Sequence, residues 1–197
     1  MLKFGTDGVR GVANQDLTPE VVLALGRAAA RVLPSWRFVV GRDTRRSGPL
    51  LEAALVAGLT AEGADVELLG VAPTPAVAWV AATEGIAGAV ISASHNPFED
   101  NGVKLFGPGG KKLDDATEAA LEAELHGLLR HESTGDARTG DAVGTVLDGS
   151  DDVARWAASV AGSIDGRRLA GLHVVIDCAN GAASAIGPKL LRSLGAV

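Results

Sequence analysis

Apolar residues gather in short bursts along this chain, each cut off by glycine or proline, and the bursts alternate in kind. Thr18 followed by Pro19 puts a capping hydroxyl before a proline at the first helical position, which predicts a helix to about Leu33. Phe38-Val39-Val40, closed by Gly41, is too short for a helix and reads as a buried strand. Leu51, Leu55 and Leu59 recur every fourth position and give one apolar face to a helix over 49–62, which Gly63 ends. A strand over 66–69, a helix over 75–83, a strand over 89–91 and another over 103–106 continue the series. Asp115 and Glu118 have the spacing of a capping box ahead of a helix running to Leu129. Strands alternating with helices predict an α/β fold, a three-layer α/β/α domain with a mixed, largely parallel sheet.

The character changes over 131–150, where glycines and aspartates replace apolar runs, and this stretch reads as the connection leaving a first domain. A helix over 151–161, a buried strand over 172–176 and a helix over 182–194 follow, the last ended by Gly195. The expected division is 1–150 for the first domain and 151–197 for a linker helix with the truncated start of a second α/β domain. One strand and one helix do not close a core by themselves.

Charge and composition remove several function classes. Lys+Arg at 18 against Asp+Glu at 24 gives a net charge of -6, a poor footprint for binding nucleic acid. Aromatics are only 4%, with no tyrosine, so stacking platforms for single strands are unexpected too. Cys178 is the single cysteine, which excludes an internal disulfide and suits a reducing compartment. The longest uncharged stretch, 68–83, contains Pro73 and Pro75 and is shorter than the ~20 residues of a membrane span. No apolar segment follows the N-terminal Lys3 as in a signal peptide. The expectation is an acidic, cytoplasmic protein that binds neither nucleic acid nor membrane.

Within that frame the stretch from Ile91 to Phe106 is the most informative. An apolar strand ends at Ile91 and runs into a polar loop with Ser94, His95 and Asn96, and Pro97 confines Asn96 to extended backbone. Strand ends are where α/β proteins place ligand groups. Asn101-Gly102 reads as a turn returning the chain to a strand that carries Lys104. A hydroxyl with an amine returning beside it suits acyl or phosphoryl transfer; the alternative is that these polar groups only satisfy a turn. A hydrolase triad is disfavoured, because there is no Gly-x-Ser-x-Gly elbow and adjacent Ser94 and His95 point apart.

Two further segments carry anion-binding chemistry. The glycines of 4–11 let backbone approach an anion closely and Arg10 adds a fixed cation, unless the segment is a flexible tail. Three arginines in 41–48 stand before a helix and either bind phosphate or, the favoured reading, hold the loop through an Arg42–Asp43 pair. Gly107 to Lys112 departs from a phosphate loop at Leu105 and Lys112 and reads as a solvent turn. Cys178 reads as core filling, His126, His131 and His173 lack metal-site spacing, and the Asp114-Asp115 and Asp151-Asp152 pairs read as helix-start carboxylates.

Taken in order, FGTDGVRG at 4–11, GRDTRRSG at 41–48, ISASHNPFEDNGVKLFGPGGKKL at 91–113, VLDGSDD at 146–152 and DCANGA at 177–182 resemble the α-D-phosphohexomutase superfamily, and within it the phosphoglucosamine mutase branch. The resemblance implies an isomerase that interconverts glucosamine 6-phosphate and glucosamine 1-phosphate, in synthesis of the UDP-N-acetylglucosamine used for cell-wall (peptidoglycan) precursors. It assigns Ser94 as the phosphoserine, Lys104 as the general acid/base, Arg10 as its neighbouring arginine and His95 as a contact to the reacting region. Gly5, Thr6 and Asp7, together with Asn96, match substrate-binding positions. Mg2+ would be ligated through the phosphate on Ser94, and a sugar 1,6-bisphosphate would serve as intermediate and activator. The implied partners are a sugar phosphate and a second copy in a homodimer. Family members have four domains, and this chain resembles the first plus the start of the second. The Asp-rich metal loop and the sugar-specificity loop would lie beyond Val197, so the 197-residue chain is expected to be inactive alone. A phosphoglucomutase/phosphomannomutase of the same superfamily, or a non-catalytic module derived from its first domain, are the alternatives.

Overall fold

Helix α1 (Pro19–Val32) starts where its sequence places the cap, with Thr18 Oγ1 accepting the Val21 amide at 3.4 Å. This computed structural model describes residues 8–132 and 137–197. Strand β1 (Val9–Val12) precedes α1, and the chain then alternates through β2 (Arg37–Arg42), α2 (Gly48–Ala61), β3 (Asp65–Val71), α3 (Thr74–Glu84) and β4 (Ala87–Ile91). A long β5 (Asp100–Gly107), a short β6 (Lys111–Lys112) and α4 (Asp115–Leu129) follow. Next come β7 (Val146–Asp148), α5 (Asp151–Gly162) and α6 (Ala183–Ser193).

The seven-stranded sheet has the order β1-β5-β4-β2-β3-β7, with β6 beside β5. Pairing is parallel from β4 through β2 and β3 to β7, and antiparallel across β1, β5 and β4. The mixed sheet between helical layers is the α/β architecture the pattern predicts. Side chains alternate across it: Phe38 and Val40 pack with α1, α2 and α4, whereas Val39 packs with α3. Every residue of β4 is buried, as expected for a strand covered on both faces.

Two devices bind α1 to its neighbours. Gly26 and Gly58 let the α1 and α2 backbones touch, for a Cβ on Gly26 would stand 2.5 Å from the Leu55 carbonyl. Arg31 then forks between helices, bonding Glu62 at 2.8 Å and Glu124 at 2.7 Å, while Arg27 meets Glu62 at 2.6 Å. Burial alone would raise the Glu62 pKa, but the hydrogen bonds from Arg31 and Arg27 and their charges outweigh it and hold it below the usual value.

Several expectations are corrected. Asn101-Gly102 is no turn; it lies inside β5 opposite Gly11 and Arg10, and the reversal occurs earlier, where the Asp100 amide bonds the Pro97 carbonyl at 3.1 Å. The cap of α4 is Asp114, whose carboxylate takes the Thr117 amide at 2.7 Å, so Asp115 is already helical. The stretch read as a plain connection supplies β7, because Asp65 accepts both the amide and the hydroxyl of Thr145 at 2.7 Å and the Gly149 amide reaches the Leu68 carbonyl. Asp152 is more than a helix-start carboxylate. It is buried, bonds Arg155 at 2.5 Å and shares a hydrogen bond with Glu67, which also pairs with Arg37. Burial first, and then Asp152, push the Glu67 pKa up against the pull of Arg37.

The segment 172–176 is not a buried strand. Val175 is fully exposed, and among the described residues the hydrogen-bond partner of this stretch outside its own turn is Val197, which bonds Leu172 and Val174. An apolar run becomes a strand only where a ladder receives it. Cys178, beyond it, is half-buried and so does not fill a core. Among the described residues no helix is long and apolar enough to cross a membrane.

Candidate functional site

Strands β3 and β4 lie on opposite sides of β2, so the chains leaving the C-terminal ends of β2 and β4 diverge and open a crevice. The loop after β2 and the loop after β4 face each other there, joined by the Asp43 amide on the Ile91 carbonyl at 3.0 Å. Ser94 stands exposed on the second loop with φ 56°, a left-handed backbone rare for a residue with a side chain. Its Oγ is 3.2 Å from His95 Nδ1, so the two side chains meet although they are adjacent in sequence. Asn96 closes the loop by donating to Asp100 Oδ2 at 2.9 Å and accepting from Arg10 Nη1 at 3.4 Å.

The cations arrive by register. Arg10 of β1 is paired with Gly102 of β5, and Lys104 of β5 with Val90 of β4. Positions two apart share a face, so Arg10, Val90, Ser92, Gly102 and Lys104 lie on the side of the sheet covered by α3. Gly102 is required by this crowding, because a Cβ there would stand 2.8 Å from Arg10 Cγ and 2.9 Å from the carbonyls of Ser92 and Val9. The Lys104 ammonium lies 5.8 Å from the centre of the Phe106 ring. Arg10, Thr74, Val90, Ser92, Ser94 and Lys104 line one cleft of about 180 Å3. Thr74 opens α3, so the positive end of that helix is part of the wall. A hydroxyl, two cations and a helix N-terminus around one small cleft fit a phosphoryl group.

Of the residues singled out from sequence, Ser94, His95, Asn96, Arg10 and Lys104 are therefore brought together. Gly5, Thr6 and Asp7 lie outside the described residues. In the 41–48 segment Arg42 pairs with Glu52 at 3.1 Å, not with Asp43. Asp43 instead takes Arg45, and Arg45 reaches into the Ser94 loop. Asp43, Arg45, Ser92 and Thr74 were not assigned to the site from sequence. An Asp and an Arg two residues apart after a strand are a signal of loop bracing, but spacing alone does not name the partner. Lys111 and Lys112 are exposed as expected, but they form the short strand β6 beside β5, and the turn lies before them at 108–110. Among the described residues no three His, Cys, Asp or Glu side chains gather as metal ligands; the group here that would hold Mg2+ is an oxygen of a phosphate on Ser94.

Comparison with known proteins identifies the family. Residues 1–130 match the model of the phosphoglucomutase/phosphomannomutase α/β/α domain I. The chain is 52% identical over 200 residues to the phosphoglucosamine mutase of Mycobacterium leprae, covering 98% of the chain and 42% of that protein. It is 51% identical over 208 residues to the phosphoglucosamine mutase of Mycolicibacterium smegmatis, covering 98% and 45%. Among solved structures, a phosphoglucomutase/phosphomannomutase family protein from Burkholderia thailandensis superposes with a TM-score of 0.77 at 28% identity, over 100% of this chain and 44% of that one. The chain thus spans less than half the length of the relatives it matches. With the matched domain covering the strands, loops and cleft just described, the chain belongs to the phosphoglucomutase/phosphomannomutase family.

Proposed function

We propose that this chain carries the phosphoserine half of a phosphoglucosamine mutase. The observation that carries the reading is the convergence of Ser94, Arg10 and Lys104 on one cleft at the switch point of the sheet. In the forward direction the O1 hydroxyl of glucosamine 6-phosphate attacks phosphorus on phospho-Ser94. The O1–P bond forms, the Oγ–P bond breaks, Lys104 handles the proton leaving O1, and Ser94 Oγ recovers a proton as it departs. The product of this half is glucosamine 1,6-bisphosphate. After it reorients, Ser94 Oγ attacks the 6-phosphate, the O6–P bond breaks and O6 takes up a proton. Phosphoserine and glucosamine 1-phosphate result, with no net change in protons or phosphate. Arg10 offsets charge on the transferring oxygens, and His95, 3.2 Å from Oγ, holds the serine oxygen by a hydrogen bond. A sugar 1,6-bisphosphate primes an unphosphorylated Ser94, and the divalent ion of such sites would supply charge neutralisation when bound.

The test exchanges the N-terminal segment of the Mycolicibacterium smegmatis phosphoglucosamine mutase for these residues and measures conversion of glucosamine 6-phosphate. The hybrid is expected to turn over, its Ser94→Ala variant to lose activity, and the isolated 197-residue chain to show none. An active Ser94→Ala hybrid removes the serine from its role. Faster conversion of glucose or mannose phosphates assigns the other sugar class.

A further inference from the structure

Arg45 is almost buried and its guanidinium is fully used, four of its bonds going to the Ser94 loop and one to Asp43 on its own loop. Nε bonds Asp43 Oδ2 at 3.2 Å; Nη1 bonds the carbonyls of Pro97 at 2.5 Å and Asp100 at 2.9 Å; Nη2 bonds those of Ser94 at 3.1 Å and Asn96 at 2.8 Å. Asp43 is anchored in turn by the Arg45 amide at 2.9 Å and by the Ser92 hydroxyl at 2.7 Å. That same Ser92 oxygen accepts the Ser94 amide at 3.1 Å. Both backbone polar groups of Ser94 are therefore gripped by side chains, and both grips run back to one carboxylate. With every donor committed, the Arg45 charge is turned toward the loop's carbonyls and has no fork left for a ligand.

We propose that Arg45, braced by Asp43 and completed by Ser92, is the positioning residue that holds Ser94 in its left-handed backbone conformation and thereby aims Oγ into the cleft. A non-glycine residue adopts that conformation at a cost and keeps it only where its surroundings impose it. Phosphoryl transfer tolerates little misplacement of the attacking or leaving oxygen, so a loop that yields under the charge of a second phosphate would waste encounters. Lysine does not substitute, since a single ammonium cannot reach carbonyls spread along a whole turn. The kinetic part of this proposal rests on the mutase reading, and the conformational part does not.

The first arm follows the Ser94 amide by NMR in the isotope-labelled 197-residue chain. In Arg45→Met and in Ser92→Ala the left-handed signature, a strong contact between the Ser94 amide and its own Hα, is expected to be lost. Ser94 amide exchange should quicken ~10-fold or more, the factor that losing a charge-assisted hydrogen bond implies, while Val39 and Leu55 amides stay unchanged. The second arm uses the hybrid mutase, where kcat is expected to fall ~10–100-fold with KM for glucosamine 6-phosphate moved less than ~3-fold. Arg45→Lys should recover little of the rate. An unchanged Ser94 amide in both variants, or a kcat near that of the parent hybrid, overturns the proposal. If Arg45→Met does not fold, Ser92→Ala decides, because it removes one hydroxyl and no packing. An active Ser94→Ala hybrid would sink the mutase reading and leave the conformational arm standing on its own result.

Discussion

Replacing Gly102 by alanine tests the claim that the crowding of β1, β5 and the Ser94 loop is what places Arg10. The added methyl would sit 2.8 Å from Arg10 Cγ and 2.9 Å from two backbone carbonyls, those of Ser92 and Val9. Arginine's stem can move aside, but the carbonyls are backbone: Ser92 is tied by its own amide to the Gly102 carbonyl, and Val9 lies in the edge strand β1. Overpacking of this kind costs about 1–3 kcal/mol. Alanine restricts the unfolded chain and returns about 0.4–1 kcal/mol. The expected net is a destabilisation of about 1–2 kcal/mol. Urea unfolding followed by the fluorescence of Trp36, Trp79 and Trp156 reads it as a fall in midpoint of about 0.5–1 M at unchanged slope. Gly162→Ala is the control, since a Cβ there meets nothing within 4 Å at the end of α5, and it should be neutral or stabilising by up to about 1 kcal/mol. A Gly102→Ala chain as stable as its Gly162→Ala counterpart would refute the reasoning.

Two further outcomes follow from the same geometry. Glu62→Gln leaves Arg27 and Arg31 without their shared carboxylate and should cost about 1–2 kcal/mol at neutral pH, between the values for exposed and buried pairs. Because the folded-state pKa of Glu62 lies below its unfolded value, that stability is present above about pH 4.3 and is lost as pH falls through the folded value, so urea midpoints of the two chains should converge in acid. Ser94→Gly should be more stable than Ser94→Ala by about 1 kcal/mol, since only glycine adopts φ 56° freely; equal thermal midpoints would show the backbone there to be unstrained.

The sheet and its helical cover were legible because short apolar bursts alternate with longer helical stretches, and because Thr18, Gly41 and Gly63 punctuate them. The loop with Ser94 and the strand with Lys104 were legible as chemistry for the same reason: a strand end announces a site. What sequence could not supply was partner choice. Val146 to Asp148 is too short to announce a strand, and it becomes one because β3 receives it, with Asp65 and Leu68 at either end. Asn101-Gly102 has the composition of a turn, yet the glycine answers to the approach of Arg10 from another strand. Arg42 and Arg45 look alike in sequence; one goes to Glu52 and the other under the Ser94 loop because α2 and the loop stand on different sides of them. The 172–176 run shows the converse, a strand pattern whose ladder is almost wholly missing among the described residues.

The stitching of β7 to β3 has a mechanical consequence. With β7 laddered to the sheet and α5 clamped by Asp152 and by Arg155 over Trp79, the chain is held firmly until Gly162. Beyond Gly162 the chain runs through 163–171 to the loop that leads into α6. Among the described residues, one hydrogen bond latches that loop to the cleft's rim, Thr44 Oγ1 donating to the Asn180 carbonyl at 2.6 Å. A neutral bond of this sort contributes only about 0.5–1.5 kcal/mol, little beside the ladders and ion pairs that hold the chain as far as Gly162.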